Sequence, residues 1–313
     1  MDGIKYSVII PMYNEQEVIK ESYRRLDGVM RPLGEEYELI FVNDGSRDKT
    51  MEIMLEIANN DKHVKIVDFA RNFGHQTAVT AGMKYSSGDA VVIIDADLQD
   101  PPELIPGMLE KWKEGYEVVY GKRLKREGET KFKLFTAKAF YKVINSLSGN
   151  MIPMDTGDFR LIDRAVVDAM NAMPEHNRFL RGMGSWVGFR QYAYEYKRDE
   201  RWAGTTKYPL KKMIKLAKDG IISFSSKPLE MLGFLGCAIS GLCFLWLLVL
   251  IILAICGVFF MQWQLIVSFM GIFAGIILIG MGILGEYIGR IYDEAKGRPL
   301  YTVLRTINFD VQK

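Results

Sequence analysis

Ala90-Val91-Val92-Ile93-Ile94 runs straight into Asp95-Ala96-Asp97-Leu98-Gln99-Asp100-Pro101. An apolar, mostly β-branched run followed by acids and a proline describes a buried strand that stops abruptly at a turn. The same pattern occurs upstream at Tyr6–Ile10, Glu38–Val42 and Val64–Phe69. Between these runs, Glu15–Met30, Asp48–Asn60 and Gln76–Ser86 carry helical spacing. Such alternation predicts a mainly parallel sheet with helices on both faces. Downstream, Pro101-Pro102-Glu103 opens another helix with proline in its first turn, and Val118–Tyr120 reads as the next strand.

Sheets of this kind place ligands outside the carboxyl ends of their strands, so the residues that follow each strand are the candidates. Asp95 and Asp97, one residue apart on a turn, can meet a diphosphate and its divalent cation. Mg²⁺ or Mn²⁺ takes oxygen ligands and usually shares them with phosphates. A bare Asp-x-Asp is common in solvated loops, so its place after a strand is what gives it weight. Asp44-Gly45-Ser46-Arg47-Asp48 ends the second strand. There Asp44 can accept hydrogen bonds from a base or ribose, and Gly45 permits close approach. The same string also reads as a turn with Ser46 or Asp48 capping a helix. Pro11-Met12-Tyr13-Asn14-Glu15 ends the first strand.

The chain has 313 residues and a formal net charge of +2, unevenly spread. From Met231 to Gly285 there is no Lys, Arg, His, Asp, Glu or Pro. One membrane crossing needs about 20 apolar residues, so the run predicts two helices, Leu229–Gly257 and Trp263–Tyr287, joined by a turn at Phe259–Gln264. Lys211, Lys212, Lys215 and Lys218 precede them, and Arg290, Lys296, Arg298 and Arg305 follow. That asymmetry predicts both termini, and the catalytic part, on the cytoplasmic side of an inner membrane. No signal peptide is expected at Met1–Gln16. Cys237, Cys243 and Cys256 all fall in the apolar run and imply no disulfide framework. Two segments, Lys131–Leu147 and Lys207–Phe224, set an apolar face among lysines, which suits the headgroup boundary. An ordinary surface helix would give the first of them equally well. Gly236/Ser240, Gly271/Gly275 and Gly285/Gly289 have the spacing for close helix approach, a weak pointer to a homo-oligomer. The expected division is a catalytic domain with interfacial helices over 1–225, a transmembrane hairpin over 226–289 and a cytoplasmic tail over 290–313.

Taken together, Pro11-x-x-Asn14-Glu15, Asp44-Gly45-Ser46, Asp95-x-Asp97-x-Gln99 and Asp155-Thr156-Gly157-Asp158-Phe159-Arg160 resemble family-2 glycosyltransferases of the GT-A, Rossmann-like α/β fold. The nearest branch resembles the polyisoprenyl-phosphate glycosyltransferases, which include dolichol-phosphate mannose synthase and bacterial bactoprenol glucosyltransferases. The resemblance extends through Arg178-Phe179-Leu180-Arg181-Gly182, Trp186-Val187-Gly188-Phe189 and Arg201-x-x-Gly204-x-Thr206-Lys207-Tyr208. It implies that Pro11, Tyr13, Glu15, Asp44 and Asp95 hold the nucleotide, and that Asp95, Asp97 and Gln99 serve Mg²⁺ or Mn²⁺. It also gives Asp97 and Asp158 catalytic roles and places Arg123, Lys133, Arg201 and Lys207 near the acceptor phosphate. The implied partners are a nucleotide-sugar, UDP-glucose first, and a polyisoprenyl-phosphate lipid. Mannosyl or other transfer from a GDP- or UDP-sugar stays open, as does a catalytically silent scaffold. The Gln-x-x-Arg-Trp string of processive synthases does not occur, which argues for one transfer per acceptor.

A nicotinamide-dependent oxidoreductase would also suit a βαβ rhythm. The only literal G-x-G-x-x-G, Gly280 to Gly285, lies inside the second expected membrane helix with no strand before it. Nucleic acid is not an expected partner, because the basic clusters border apolar helices and the net charge is small.

Overall fold

The computed structural model describes residues 3–124, 156–197 and 263–309, with scattered positions between 234 and 256. Four strands lie parallel: β1 (Tyr6–Met12), β2 (Tyr37–Asn43), β3 (Val64–Phe69) and β4 (Ala90–Ile93). Their β-branched and aromatic side chains are buried on both faces, which is why these runs do not alternate with polar residues. Val8, Ile10, Leu39 and Phe41 pack on one face against α1 (Ile19–Met30), α2 (Thr50–Asn60) and α4 (Ile105–Lys113). Ile9, Ile40, Val42 and Val67 pack on the other against α3 (His75–Tyr85). Each fully buried side chain of this size stabilises by about 1.5–3 kcal/mol.

The chain steps outward through β1, β2 and β3, then returns to place β4 on the far side of β1. That reversal makes a topological switch point, the usual seat of a ligand in such sheets. Pairing between β1 and β4 ends at Ile9 opposite Ile93, so the buried Pro11 lies beyond it and removes no donor from that ladder.

The sheet is mixed rather than wholly parallel. β5 (Val118–Arg123) and β6 (Thr156–Asp163) are antiparallel to each other, and β6 runs antiparallel beside β4. Then come α5 (Arg164–Ala172), α6 (Leu180–Trp186) and β7 (Gln191–Tyr196), which pairs parallel with β5. α5 and α6 join α3 on the second face through Val166, Val167, Met170, Leu180 and Met183.

α7 (Trp263–Ala295) is a helix of 33 residues that covers the second expected membrane segment. Most of the first segment lies outside the described residues. Among the described residues, no helix is long and apolar enough to cross a membrane. The side chains described without a break along α7, from Ile276 on, run into Glu286, Arg290, Asp293 and Glu294. After α7 the chain comes back to the sheet, where β8 (Val303–Ile307) pairs antiparallel with β3 and forms an edge. The interfacial segments Lys131–Leu147 and Lys207–Phe224 fall outside the described residues.

Candidate active site

The loops that follow β1 and β2 are laced together. Asn14 N–H donates to Ser46 Oγ at 3.0 Å, and Arg47 N–H returns to Asn14 Oδ1 at 2.9 Å. Glu15 N–H donates to Thr50 Oγ1 at 2.8 Å. Asn14 takes φ +53°, a left-handed conformation that asparagine tolerates better than most residues. This lacing explains why α1 starts at Ile19 and not at Glu15, as its periodicity predicts. The N-cap of α2 is Lys49 rather than Ser46 or Asp48; Asp48, just before it, accepts Thr50 N–H at 3.0 Å.

Asp44 turns toward the β3–α3 loop. Its Oδ1 accepts Phe73 N–H at 2.6 Å, and its Oδ2 accepts Gly74 N–H at 3.0 Å and Asn72 Nδ2 at 2.9 Å. Burial pushes this carboxyl up, against the two backbone donors and nearby His75. Gly45, at φ +64°, has no room for a side chain, because a Cβ there would lie 2.5 Å from the Arg71 carbonyl carbon. The Asp44 carboxylate thus organises the loop that begins α3, beside the place the sequence gives to a nucleoside. Pro11 is buried in β1, while Tyr13 and Glu15 are half-buried beside Asn14.

Beyond β4 the turn alternates. Asp95 and Asp97 are partly exposed, while Ala96 and Leu98 are buried and Leu98 takes φ +57°. Asp97 Oδ1 accepts Gln99 N–H at 3.2 Å, and the Gln99 side chain is buried. Asp100 is fully buried; Tyr196 O–H donates to it, and Arg123 Nη2 lies 3.5 Å away. Burial would lower the Arg123 guanidinium, but Asp100 outweighs it and holds the charge. A Cβ at Gly157 would meet Arg123 Nη2 at 2.3 Å, so a side chain there would push the guanidinium aside.

Asp158 is the third residue of β6. Arg181 on α6 grips it with two bonds, Nε to Oδ1 at 2.8 Å and Nη2 to Oδ2 at 3.1 Å. His75 approaches from α3, with Nε2 3.3 Å from Asp158 Oδ2 and 3.6 Å from Asp95 Oδ1. Burial would raise Asp158, but Arg181 and His75 outweigh it and hold its carboxyl well below the usual range. Burial likewise opposes charge on His75, yet Asp95 and Asp158 push it up to about 9. Arg160, buried behind, donates to the carbonyls of Gly157 and Leu180 at 3.3 and 3.4 Å and so ties β6 to α6.

The structure therefore gathers Asp95, Asp97, Gln99, Asp158 and Arg123 around the carboxyl ends of β4, β5 and the adjoining end of β6. Lys133, Arg201 and Lys207 lie outside the described residues. His75 and Arg181 are site residues that sequence reasoning gave no role. Arg181 stood inside a quoted motif, and His75 stood one residue before the predicted start of its helix.

Among the described residues no three His, Cys, Asp or Glu side chains form a metal cage. A cation that shares substrate phosphates needs only one or two carboxylates from the protein, and Asp95 with Asp97 supplies that donor set. The electrostatics agree. Burial pushes the Asp95 carboxyl up; His75 opposes the rise, and Asp158, Asp100 and Asp97 add to it. A cation at this turn would relieve that crowding of acids.

Residues 7–170 match the family described as glycosyl transferase family 2. The chain is 54% identical to the uncharacterised glycosyltransferase YkcC of Bacillus subtilis, over 98% of this chain and 95% of that one. It is 41% identical to the bactoprenol glucosyl transferase of Shigella phage SfII, over 97% and 98% of the two chains. Its fold is similar to glucosyl-3-phosphoglycerate synthase of Mycobacterium tuberculosis, solved with Mn²⁺, UDP and phosphoglyceric acid. There the TM-score is 0.51 at 21% identity, over 70% of this chain and 76% of that one. With its crossover sheet, paired strand-end carboxylates and whole-length relatives, the chain belongs to glycosyl transferase family 2, as a bactoprenol glucosyl transferase-like enzyme.

Proposed function

We propose that the protein transfers one sugar from a nucleotide-sugar, UDP-glucose first, to the phosphate of a polyisoprenyl lipid such as undecaprenyl phosphate. The observation that carries this reading is the state of Asp158. A sugar-hydroxyl acceptor must lose a proton during attack, and a carboxylate locked by two bonds to Arg181 and held strongly ionised is a poor base. A phosphate monoester, with a second pKa near 6, already offers a deprotonated oxygen. Relatives named bactoprenol glucosyl transferases support a polyisoprenyl acceptor.

In this reading Pro11, Tyr13, Glu15 and Asp44 seat the nucleoside, and Asp95, Asp97 and Gln99 would hold Mg²⁺ or Mn²⁺. When bound, the cation neutralises the negative charge that collects on the departing diphosphate. The lipid phosphate oxygen attacks the anomeric carbon from the face opposite the diphosphate. The carbon–oxygen bond to the diphosphate breaks, UDP leaves with the bonding pair, and the configuration inverts. Arg123, with Lys133, Arg201 and Lys207, would meet the acceptor phosphate. Asp158 orients Arg181 and lends negative charge beside the oxocarbenium-like sugar. A GDP- or UDP-linked mannose or another sugar remains the alternative donor.

The acceptor lives in a bilayer, and the hairpin at 226–289 would bring the enzyme to it, with both termini cytoplasmic. The charge-free run and the exposed Phe269, Met270, Phe273, Ile277 and Leu278 of α7 support this. So does the Trp246 ring, 6.1 Å from that of Phe269. The test incubates the full-length protein in membranes with labelled UDP-glucose, other UDP- and GDP-sugars, and undecaprenyl phosphate. A labelled, mild-acid-labile lipid is expected from UDP-glucose. Label that enters only hydroxyl acceptors or water would overturn the reading. Tags at Met1 and Lys313 should both report cytoplasm, and a cysteine placed near Gln262 should label from outside.

A further inference from the structure

His75 has no part in the scheme above, yet it touches both halves of the site. Its Nε2 is sealed from solvent between Asp158 and Asp95, at 3.3 and 3.6 Å, and makes an in-line hydrogen bond to neither. One N–H cannot point well at two acceptors, and hydrogen bonds weaken steeply off-line. A buried donor left in that position costs free energy, so something must hold it there.

The chain on either side does so. The residue before it, Gly74, donates its N–H to Asp44 at 3.0 Å, at the end of β2. The residue after it, Gln76, accepts Leu180 N–H at 3.0 Å, one residue from Arg181. Its backbone neighbours thus tie His75 to Asp44 and to Leu180, while its ring stands between Asp95 and the Asp158–Arg181 pair. Asp95 and Asp158 are like charges crowded into a part-buried site, and the imidazole is what stands between them.

We infer that His75 is a positioning residue that couples the diphosphate side of the site, at Asp95, to the Asp158–Arg181 pair on the acceptor side. The inference rests on the proposed function, because it takes the Asp95 turn as the place of the cation and diphosphate. A donor bound at that turn is then felt at Asp158, and the acceptor side is set in place only when a donor is present. A histidine that merely fills space would be replaced well by phenylalanine. A brace that works through an N–H would not be.

The test is a mutant cycle on binding, which needs neither the sugar nor the lipid. Calorimetry on the full-length protein measures the affinity for Mn²⁺ with UDP. Asp158→Asn should change that affinity about fivefold or more when His75 is present. In a His75→Phe background the same change should have less than about a twofold effect. In a His75→Gln background, which keeps an N–H near the same place, most of the coupling should return. Should His75→Phe fail to fold, His75→Leu takes its place in the cycle. An equal effect of Asp158→Asn in every background, or none in any, overturns the inference. Absence of any binding heat from Mn²⁺ with UDP in the wild type would instead overturn the donor reading, and this inference with it.

Discussion

The loops that close β1 to β4 carry the site's carboxylates, whereas the segment that returns from α7 packs along the β3 edge, and the two are assembled in different ways. The strand-end loops are held by contacts about thirty residues apart in sequence: Asn14 with Ser46, Glu15 with Thr50, Asp44 with Phe73. Asn14, Ser46 and Asp44 are residue types suited to turns; the Asp44 carboxylate is taken up in the lacing, while Asp95 and Asp97 stay partly exposed. The returning segment is held by partners far apart in sequence. Arg305 Nε donates to Asp68 Oδ2 at 2.9 Å, Tyr301 stacks on Phe69 at 5.0 Å, and Asn308 Nδ2 reaches the carbonyls of Ala58 and Val64. His176, ahead of α6, is gripped by Glu294 and by the Arg298 carbonyl. The loops present the site's carboxylates, while Ala96 and Leu98 of the turn after β4 pack inward. The return pairs with a β3 edge that would otherwise leave unpaired backbone groups. Mutations in the two regions should therefore fail in opposite ways.

The largest effect should come from the loops. Asp97→Ala should reduce transfer by about a hundredfold or more, the scale of losing an electrostatic stabiliser of the departing group. Its melting temperature should stay near wild type, since a partly exposed turn carboxylate carries little packing. EDTA should silence the wild type, with rescue by Mg²⁺ or Mn²⁺. Full activity in EDTA, or an Asp97→Ala protein that loses stability in step with activity, would break the contrast at its strongest point.

Legibility follows the same divide. The cores of β1 to β4 stand where the apolar runs predict them, because a strand buried on both faces writes its burial into consecutive residues. The acids at their ends were readable for the same reason. The late start of α1 was not, since it depends on Ser46 and Thr50, which are far from the helix in sequence. β8 was unreadable as a strand. Val303-Leu304-Arg305-Thr306-Ile307 is short, half exposed and acquires its partner only when β3 is in place. His75 and Arg181 look like ordinary polar residues until β6 sets Asp158 between them.

Asp158→Asn comes next in size. It should lower kcat about tenfold or more by releasing Arg181, while leaving the fold intact. Because Arg181 and His75 keep the native carboxyl ionised far below neutrality, the residual rate should stay flat as pH rises above 7. A residual rate that climbs tenfold per pH unit would mean that proton removal limits the step, and that Asp158 is the base after all. That outcome would move Asp158 out of the positioning role and favour a hydroxyl acceptor.

Removal of residues 301–313 should reverse the pattern. Without Tyr301 and β8, Phe69 loses its stacking partner and the β3 edge loses its ladder. The melting temperature should fall by several degrees, since a loss of about 1 kcal/mol shifts a large domain by about 2–4 °C. Below the new transition, kcat per folded molecule should stay within about threefold of wild type. A truncated protein that keeps its melting temperature but loses turnover would mean that the tail belongs to the site.

The smallest effect, and the most diagnostic, belongs to His176. Its backbone N–H donates to Glu294 Oε1 at 2.7 Å, while its Nδ1 and Nε2 face Glu294 Oε2 at 2.8 Å and the Arg298 carbonyl at 2.5 Å. A carboxylate and a carbonyl can only accept, so both ring nitrogens donate together only in the imidazolium form. The Glu294 bond first, then the Arg298 carbonyl, push its pKa above the ordinary 6.5, against a small opposing effect of burial, and the charges of Glu294 and Asp293 add to the rise. A histidine raised in the folded state contributes its full stabilisation below the unfolded pKa and loses it as pH climbs through the folded value. His176→Asn should therefore melt about 1–3 °C below wild type at pH 6, and the gap should close by pH 9. Turnover at pH 7 should change little, because the clamp touches neither substrate nor Asp158. A gap that widens with pH would show that neutral His176 is the bonded form and that the clamp does not depend on the imidazolium.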